Sequence, residues 1–374
     1  MTGAKAMEGS AEGAEGVLWF EDIGRNDIAR VGGKGASLGE LVRAGIRVPP
    51  GFVIATPVFA AFMQTADPGG RLRREVAELD AGDLAAIDRA GRRLRERVKE
   101  TPLPVEWAAS VREGCGKLAA PGDGFAVRSS ATSEDSEDAS FAGLQDTYLW
   151  VGVEQVPDRV RACWASLYNA ESISYRRRLG LAEEPLAMAV VVQAMVDASA
   201  AGVMFSRSPT TGDKSVVTIE ASWGLGSSIV GGEVTPDKYI VNKVTGEIID
   251  RVIAAKAVRH VREAGGAGVR VEDVPAAQRA ISCLDGQQIA ALVGIARQCE
   301  RHYGCPQDME WALVVQDLNS LAGGEEVPSD HSEIYLLQSR PETVWSRREA
   351  TAVSRPQAKA FEHVFAVLGG NARK

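Results

Sequence analysis

The stretch PLAMAVVVQAMVDASAAGVMFS, residues 185–206, contains the longest apolar run in the chain. A membrane-spanning helix needs about 20 apolar residues. This run ends at residue 196, is interrupted by Gln193 and is followed at once by Asp197. It therefore reads as a buried strand, with AAGVMFS at 200–206 as a second. Further strands follow: SVVTIEAS at 215–222, KYIVNK at 238–243 and EIIDRV at 247–252. The glycine-rich WGLGSSIVGGEV at 223–234 separates the first of these from the second, and Thr245-Gly246 supplies a hairpin turn before the third. A helix at 286–303, carrying Ile289, Leu292, Val293, Ala296 and Cys299, then leads to DMEWALVV at 308–315 and EIYLLQSRP at 333–341. A polar loop at 317–332 joins these last two strands.

Toward the N-terminus the pattern is mixed. VLWFEDI at 17–23 precedes the glycine loop VGGKG at 31–35, which enters a helix carrying Leu38, Leu41 and Val42 and ending at Gly45. VPPGFVI at 48–54 turns into a strand, and residues 70–118 have the apolar spacing of helices with charged outer faces. GFAVRSS at 124–130 alternates like a strand, gives way to the acidic loop ATSEDSEDAS at 131–140 and resumes at LQDTYLWV, 144–151. Residues 155–180 read as one amphipathic helix with Val156, Val160, Cys163, Trp164 and Leu167 on a single face. Helices kept apart from runs of antiparallel strands predict an α+β class, not a doubly wound parallel sheet. The expected organisation is a tail at 1–16, a mixed lobe at 17–184, a sheet-rich lobe at 185–345 and a C-terminal helix or linker at 346–374.

Composition narrows the function. Lys and Arg number 42 against 50 Asp and Glu, a net charge of −8 that disfavours a nucleic-acid partner. The first 16 residues lack the apolar core of a signal peptide. Five cysteines without CxxC spacing suggest reduced thiols in a cytoplasm; no disulfide framework or zinc site is expected, Cys299, His302 and Cys305 straddling a helix end at Gly304. No membrane partner is expected either.

VGGKGAS lacks two requirements of a P-loop, with Ile28 where its first glycine belongs and Gly35 where Ser or Thr would follow the lysine. Glycines, Lys34 and a following helix still suit an anion, though a turn with a solvated lysine uses the same residues. Arg128, at the end of an apolar strand, needs an anion, either a phosphate or a structural carboxylate such as the neighbouring acidic loop. Asp308 and Glu310 share one face of their strand, and Gln338 and Arg340 share one face of the next. If the strands pair, oxygen ligands suited to Mg²⁺ converge beside an arginine; the alternative is a ladder of surface polar pairs. Gln193 needs its amide satisfied, by an adenine edge or by neighbouring backbone. There is no GxSxG elbow, and His260, His302, His331 and His363 have no evident serine or cysteine partner, so a nucleophilic hydrolase is not expected.

In order and wording, VGGKGASLGEL, GIRVPPGFVI, FAVRSSATSED, ASFAGLQDTYL, GVMFSRSPTTGD, WGLGSSIVGGEVTPDKY, PQDMEWAL and LLQSRPETVW resemble the nucleotide-binding part of the pyruvate phosphate dikinase and phosphoenolpyruvate synthase family, over about 17–345. The resemblance implies an ATP-grasp architecture whose lobes close over Mg-ATP. It implies Lys34 and Arg128 on the phosphates, Gly143 and Thr147 on the covering loop, and Gln193 and Met195 at the adenine. It also implies Asp308, Glu310 and Gln338 on the metal side and Arg340 on the terminal phosphate. Two positions depart from the family pattern: Leu144 stands where Gln is usual, and Ser227 follows Gly-Leu-Gly where Glu is common.

Family members pass the β-phosphoryl group of ATP to a histidine in a Thr-Ser-His type motif, releasing AMP and phosphate. None of the four histidines here sits in such a motif, so the resemblance implies a separate histidine-bearing subunit that also holds most of the small-molecule acceptor. A free-standing subunit of this size resembles the smaller subunit of phenylphosphate synthase, which points to a phenol-type acceptor. Alternatives are the ATP-binding domain of a phosphoenolpyruvate synthase or of a rifampin phosphotransferase-like enzyme, or an ATP sensor without transfer. The C-terminal face of Phe361, Val364, Phe365 and Leu368 is a candidate docking surface for the partner.

Overall fold

A computed structural model describes residues 16–118, 124–132, 135–136, 139–140, 146–180, 186–264, 268–315 and 332–346. Gly143, Leu144, the loop at 317–331 and the face of Phe361, Val364, Phe365 and Leu368 lie outside these residues.

The first strands are β1 (Val17–Trp19), β2 (Gly51–Ile54) and β3 (Phe125–Ala131), then the small pair β4 (Asp135–Ser136) and β5 (Ala139–Ser140), β6 (Thr147–Val151) and β7 (Met188–Ala194). Five of them form a sheet in the order β1-β2-β7-β3-β6, every neighbour antiparallel. The apolar run at 185–196 thus lies inside the first sheet, between β2 and β3, and does not open the second. Its seven strand residues are all buried because both faces are covered. Met188, Val190 and Val192 pack into a core built with the helices Thr56–Ala66, Leu84–Glu100, Val105–Lys117 and Val156–Ser166. Ala189 and Val191 face the opposite way, toward Val31, Ala36 and Leu38 of the helix Ile28–Arg43. A strand covered on both sides shows no alternation of polarity, so its sequence cannot report which sheet it joins.

The second sheet contains β8 (Ala200–Phe205), β9 (Val216–Trp223), β10 (Asp237–Asn242), β11 (Ile248–Val252), β14 (Gln307–Val315) and β15 (Ser332–Pro341), while β12 (Val258–Arg262) pairs with β13 (Val269–Asp273). Its order, β11-β10-β9-β8-β14-β15, is again antiparallel throughout. The helix Gly286–Tyr303 covers one face, setting Ile289, Leu292, Ala296 and Cys299 against Met204, Ile219, Tyr239 and Trp311. Asp285 caps its first turn in a reciprocal box with Gln288, and Gly304, at φ 73°, ends it in the left-handed conformation. The α+β class therefore holds. Residues 1–341 form one unit and 342–374 another, so the division expected at 185 falls within a single unit. In the second unit the Glu342 carboxylate accepts from the backbone N–H groups of Trp345 and Ser346. Among the described residues no helix is long and apolar enough to cross a membrane.

Two local features differ from their expected form. The segment 155–180 is two helices, Val156–Ser166 and Ala170–Arg178, because the backbone turns extended at Asn169 (φ −63°, ψ 146°). The VGGKG loop lies inside the helical run Ile28–Arg43, which breaks at Gly32 (φ 69°, ψ 176°).

The helices Ile28–Arg43 and Gly286–Tyr303 meet at Glu40, whose carboxylate accepts from Arg25 (3.1 Å) and pairs with His302 Nε2 (2.7 Å). Burial alone would push this carboxyl up, but the hydrogen bonds from Arg25 and His302 outweigh it and hold the group below its ordinary value. A depressed carboxylate stabilises the fold above its unfolded value, and that stabilisation disappears as pH falls through the folded one. Glu40→Gln is thus expected to lower stability by about 1–3 kcal/mol at neutral pH. In urea titrations its deficit should shrink below about pH 4; an equal deficit at pH 7 and pH 3 would contradict this role for the ionised carboxylate.

Candidate functional site

On β3 the apolar alternation sends Phe125 and Val127 into the helical core, which turns Ala126 and Arg128 the other way. On β14 it sends Met309, Trp311 and Leu313 toward the helix Gly286–Tyr303 and leaves Glu310 and Ala312 facing β3. A cavity of about 260 Å³ lies between these two faces, lined by Arg128, Thr147, Gln193, Met195, Ser227 and Glu310. Small apolar residues such as Ala126, Ala201, Leu225 and Ala312 make up much of the remaining wall.

Arg128 crosses the cavity. Its guanidinium, with only 8% of the residue exposed, donates to the Leu337 carbonyl (2.7 Å), to Gln338 Oε1 (2.7 Å) and to Glu310 Oε2 (3.3 Å). Among the described residues, the carboxylate partner of Arg128 is Glu310, which comes from the other sheet. The β14–β15 pairing explains the convergence: Asp308 lies opposite Arg340 and Glu310 opposite Gln338, after which the register shifts so that Trp311 faces Leu336. Leu337 is the extra residue of this bulge, and its carbonyl is one of those bound by Arg128. The bulge also resolves a contradiction of phase, since Leu336 is fully buried in the core while Gln338, two residues on, bonds at the cavity.

Lys34 is absent from the cavity wall, yet its segment is fixed beside it. A Cβ at Gly32 would lie 2.1 Å from the Ser130 carbonyl oxygen, so only glycine lets the backbone come this close. Ser130 Oγ accepts from Gly35 N–H (3.1 Å) and donates to the Val31 carbonyl (2.8 Å); three residues past Lys34, Ser37 Oγ donates to the Ser339 carbonyl (2.5 Å). Lys34 thus lies between tethers to the strand of Arg128 and to the strand of Gln338 and Arg340. Arg340 is half exposed, with its Nε 3.6 Å from Asp308 Oδ2. Gln193 donates to the Pro49 carbonyl (3.1 Å), the backbone option, while still lining the cavity.

Among the described residues no group of three or more His, Cys, Asp or Glu is arranged to hold a metal ion. Asp308, Glu310 and Gln338 nevertheless offer hard oxygen donors on paired strands. That set fits a Mg²⁺ ion that keeps part of its coordination for phosphate oxygens and water. His302 is directed at Glu40, and Cys299 is buried in the core.

One polar constellation had no local signature in the sequence. His260 is hydrogen-bonded to Ser227 Oγ through Nδ1 (2.8 Å) and to Glu233 Oε2 through Nε2 (3.1 Å), so the expectation that it lacks a serine partner is incorrect. Thirty-three positions separate Ser227 from His260, and no local spacing rule connects them. A larger cavity, about 780 Å³, lies against β12 and β13 and contains none of the expected site residues. Its arginines are already engaged: Arg259 and Arg270 with Glu272, Arg262 over Trp150 and Arg251 over Tyr239.

Against known proteins, residues 28–360 match the family model described as pyruvate phosphate dikinase, AMP/ATP-binding domain. A probable phosphoenolpyruvate synthase of Methanothermobacter thermautotrophicus is 39% identical over 360 residues, 95% of this chain and 49% of its own length. A rifampicin phosphotransferase of a Streptomyces species is 40% identical over 87% of this chain and 36% of its own length. The phosphoenolpyruvate synthase of Escherichia coli is 38% identical, with 88% and 42% covered. The chain spans less than half the length of each of these relatives.

Proposed function

We propose that this chain, which belongs to the pyruvate phosphate dikinase AMP/ATP-binding domain family, binds Mg-ATP between its two sheets in the manner of an ATP-grasp fold and activates it for transfer to a histidine carried by another domain. The observation that carries the reading is Arg128, a nearly buried cation from one sheet held by a carboxylate, an amide oxygen and a carbonyl of the other. A polyphosphate is the class of ligand that can replace those partners in a site of this size.

In this reading the base lies against Gln193 and Met195, and the phosphates run toward Arg128, with Lys34 and Arg340 taking further phosphate charge and Thr147 and Gly143 covering them. Asp308, Glu310 and Gln338 would hold Mg²⁺, which when bound neutralises polyphosphate charge and orients the phosphates. The residues of the chain position and neutralise, which is most of what phosphoryl transfer requires. The histidine nitrogen forms a bond to the β-phosphorus, the bond to the oxygen bridging toward the α-phosphorus breaks and AMP leaves with that oxygen. Water takes the γ-phosphoryl group as phosphate.

The histidine is proposed to reside on a separate subunit that also holds the acceptor. Of the acceptors considered, the relatives' names favour phosphoenolpyruvate synthesis or rifampicin phosphorylation over a phenol-type compound. The test is to capture the histidine-bearing partner from the native host and incubate it with the chain and ATP labelled at the β-phosphorus. AMP formation with label on the partner's histidine is expected. ADP as product, or label delivered only from the γ-position, would overturn the reading; tight binding with no turnover would favour a sensor.

A further inference from the structure

The cavity has a second polar end. Strand register locates it: Asp308 pairs with Phe205 and Leu313 with Ala200, and Ala200 in turn faces Trp223 at the end of β9. The segment that follows Trp223 therefore leaves the sheet at the end of β14 away from Asp308 and Arg340. It carries Ser227 into the cavity wall, beside Leu225 and Gly226.

Ser227 is held there by more than its own backbone. The Leu225 N–H donates to the His260 carbonyl (2.9 Å), and Gly224, at φ +73°, passes so close that a Cβ would lie 2.4 Å from that same oxygen. The His260 ring, nearly buried, is clamped between Ser227 and Glu233. A carboxylate only accepts, so His260 Nε2 carries a hydrogen and donates it to Glu233. In the neutral ring Nδ1 is then an acceptor, and Ser227 must spend its hydroxyl hydrogen on it. What Ser227 offers the cavity is therefore oxygen lone pairs with a fixed direction.

We infer that Ser227 accepts a hydrogen bond from a ribose hydroxyl of the bound nucleotide, with His260 and Glu233 as positioning residues that keep it an acceptor. The inference rests on the nucleotide reading above: with phosphates toward Arg128, the nucleoside extends toward this end, and its ribose hydroxyls are donors. The Ser-His-Glu chain here fixes the polarity of a binding contact and takes no proton from a nucleophile.

The test compares ATP, 2′-deoxy-ATP, 3′-deoxy-ATP and purine riboside triphosphate by calorimetry on the full chain with Mg²⁺. Loss of one neutral hydrogen bond corresponds to roughly a three- to tenfold change in affinity. The wild-type chain is expected to discriminate by that factor against one of the deoxy nucleotides. Ser227→Ala should bind ATP as weakly as that analogue and show no discrimination; His260→Ala should reduce the same ratio with Ser227 intact. A fold lesion would weaken all four ligands together, so the ratio separates positioning from stability, and unligated melting temperatures check folding. Equal affinity for ATP and both deoxy nucleotides in a chain that needs Arg128 for binding overturns the ribose contact alone. Selective loss with purine riboside triphosphate, abolished by Ser227→Ala, would move the contact to the base and also overturn it. Binding of none of the four overturns the nucleotide reading and this inference together.

Discussion

Arg128→Ala is expected to weaken Mg-ATP binding by about two orders of magnitude, measured by calorimetry on the isolated chain. Truncating one member of a buried, hydrogen-bonded charge pair typically costs about 2–5 kcal/mol, and about 3 kcal/mol corresponds to a factor of roughly 100 in affinity. The site has few substitutes for this side chain. Lys34 stands outside the cavity wall, and Arg340 is half exposed beside Asp308. The variant also leaves Glu310 facing the phosphates without its counter-charge, so repulsion adds to the lost attraction. Arg128→Lys should recover only part of the affinity, because an ammonium cannot reproduce three directed contacts from a planar fork. Wild-type affinity in Arg128→Ala would move the phosphate site elsewhere.

Glu310→Ala should behave in the opposite sense for binding and in the same sense for turnover. Removing the carboxylate frees one side of the Arg128 guanidinium, so affinity for metal-free ATP should hold or rise. Formation of AMP with the histidine-bearing partner should fall by about 10²–10³, the scale of losing one preorganised electrostatic group. Asp308 and Gln338 remain, but the proposed metal set loses one of its two anionic oxygen donors. The split between binding and turnover is the informative result: equal losses in both would make Glu310 a structural partner of Arg128 only, and normal turnover would remove it from the site.

Much of this was legible in the sequence wherever one face of a strand is apolar and the other polar. DMEWALVV and EIYLLQSRP alternate, so the shared face of Asp308 and Glu310 and that of Gln338 and Arg340 could be anticipated; the strands do pair, with Asp308 opposite Arg340 and Glu310 opposite Gln338. The helix Gly286–Tyr303 is delimited by Asp285 and Gly304, both with recognisable capping chemistry. Three things could not be seen. The placement of β7 was hidden because burial on both faces removes the alternation. The bulge at Leu337 was hidden because it is a property of pairing and not of composition. The His260–Ser227–Glu233 chain was hidden because its members come from separate elements brought together by the Gly224–His260 bridge.

The bulge in β15 keeps two phases of one strand in step. Before it, side chains such as Leu336 belong to the core; after it, Gln338 turns to the cavity although it sits an even step away. Because strand faces alternate residue by residue, deletion of Leu337 would make Leu336 and Gln338 ordinary neighbours on opposite faces and leave both pointing where they now do. What would vanish is the Leu337 carbonyl that Arg128 binds. Pairing without a bulge but with Leu337 retained would instead turn Gln338 and Arg340 toward the apolar layer and Ser339 outward. The extra residue thus contributes an acceptor and not a phase, so a one-codon deletion would subtract a single backbone contact and leave the side-chain inventory of this edge in place.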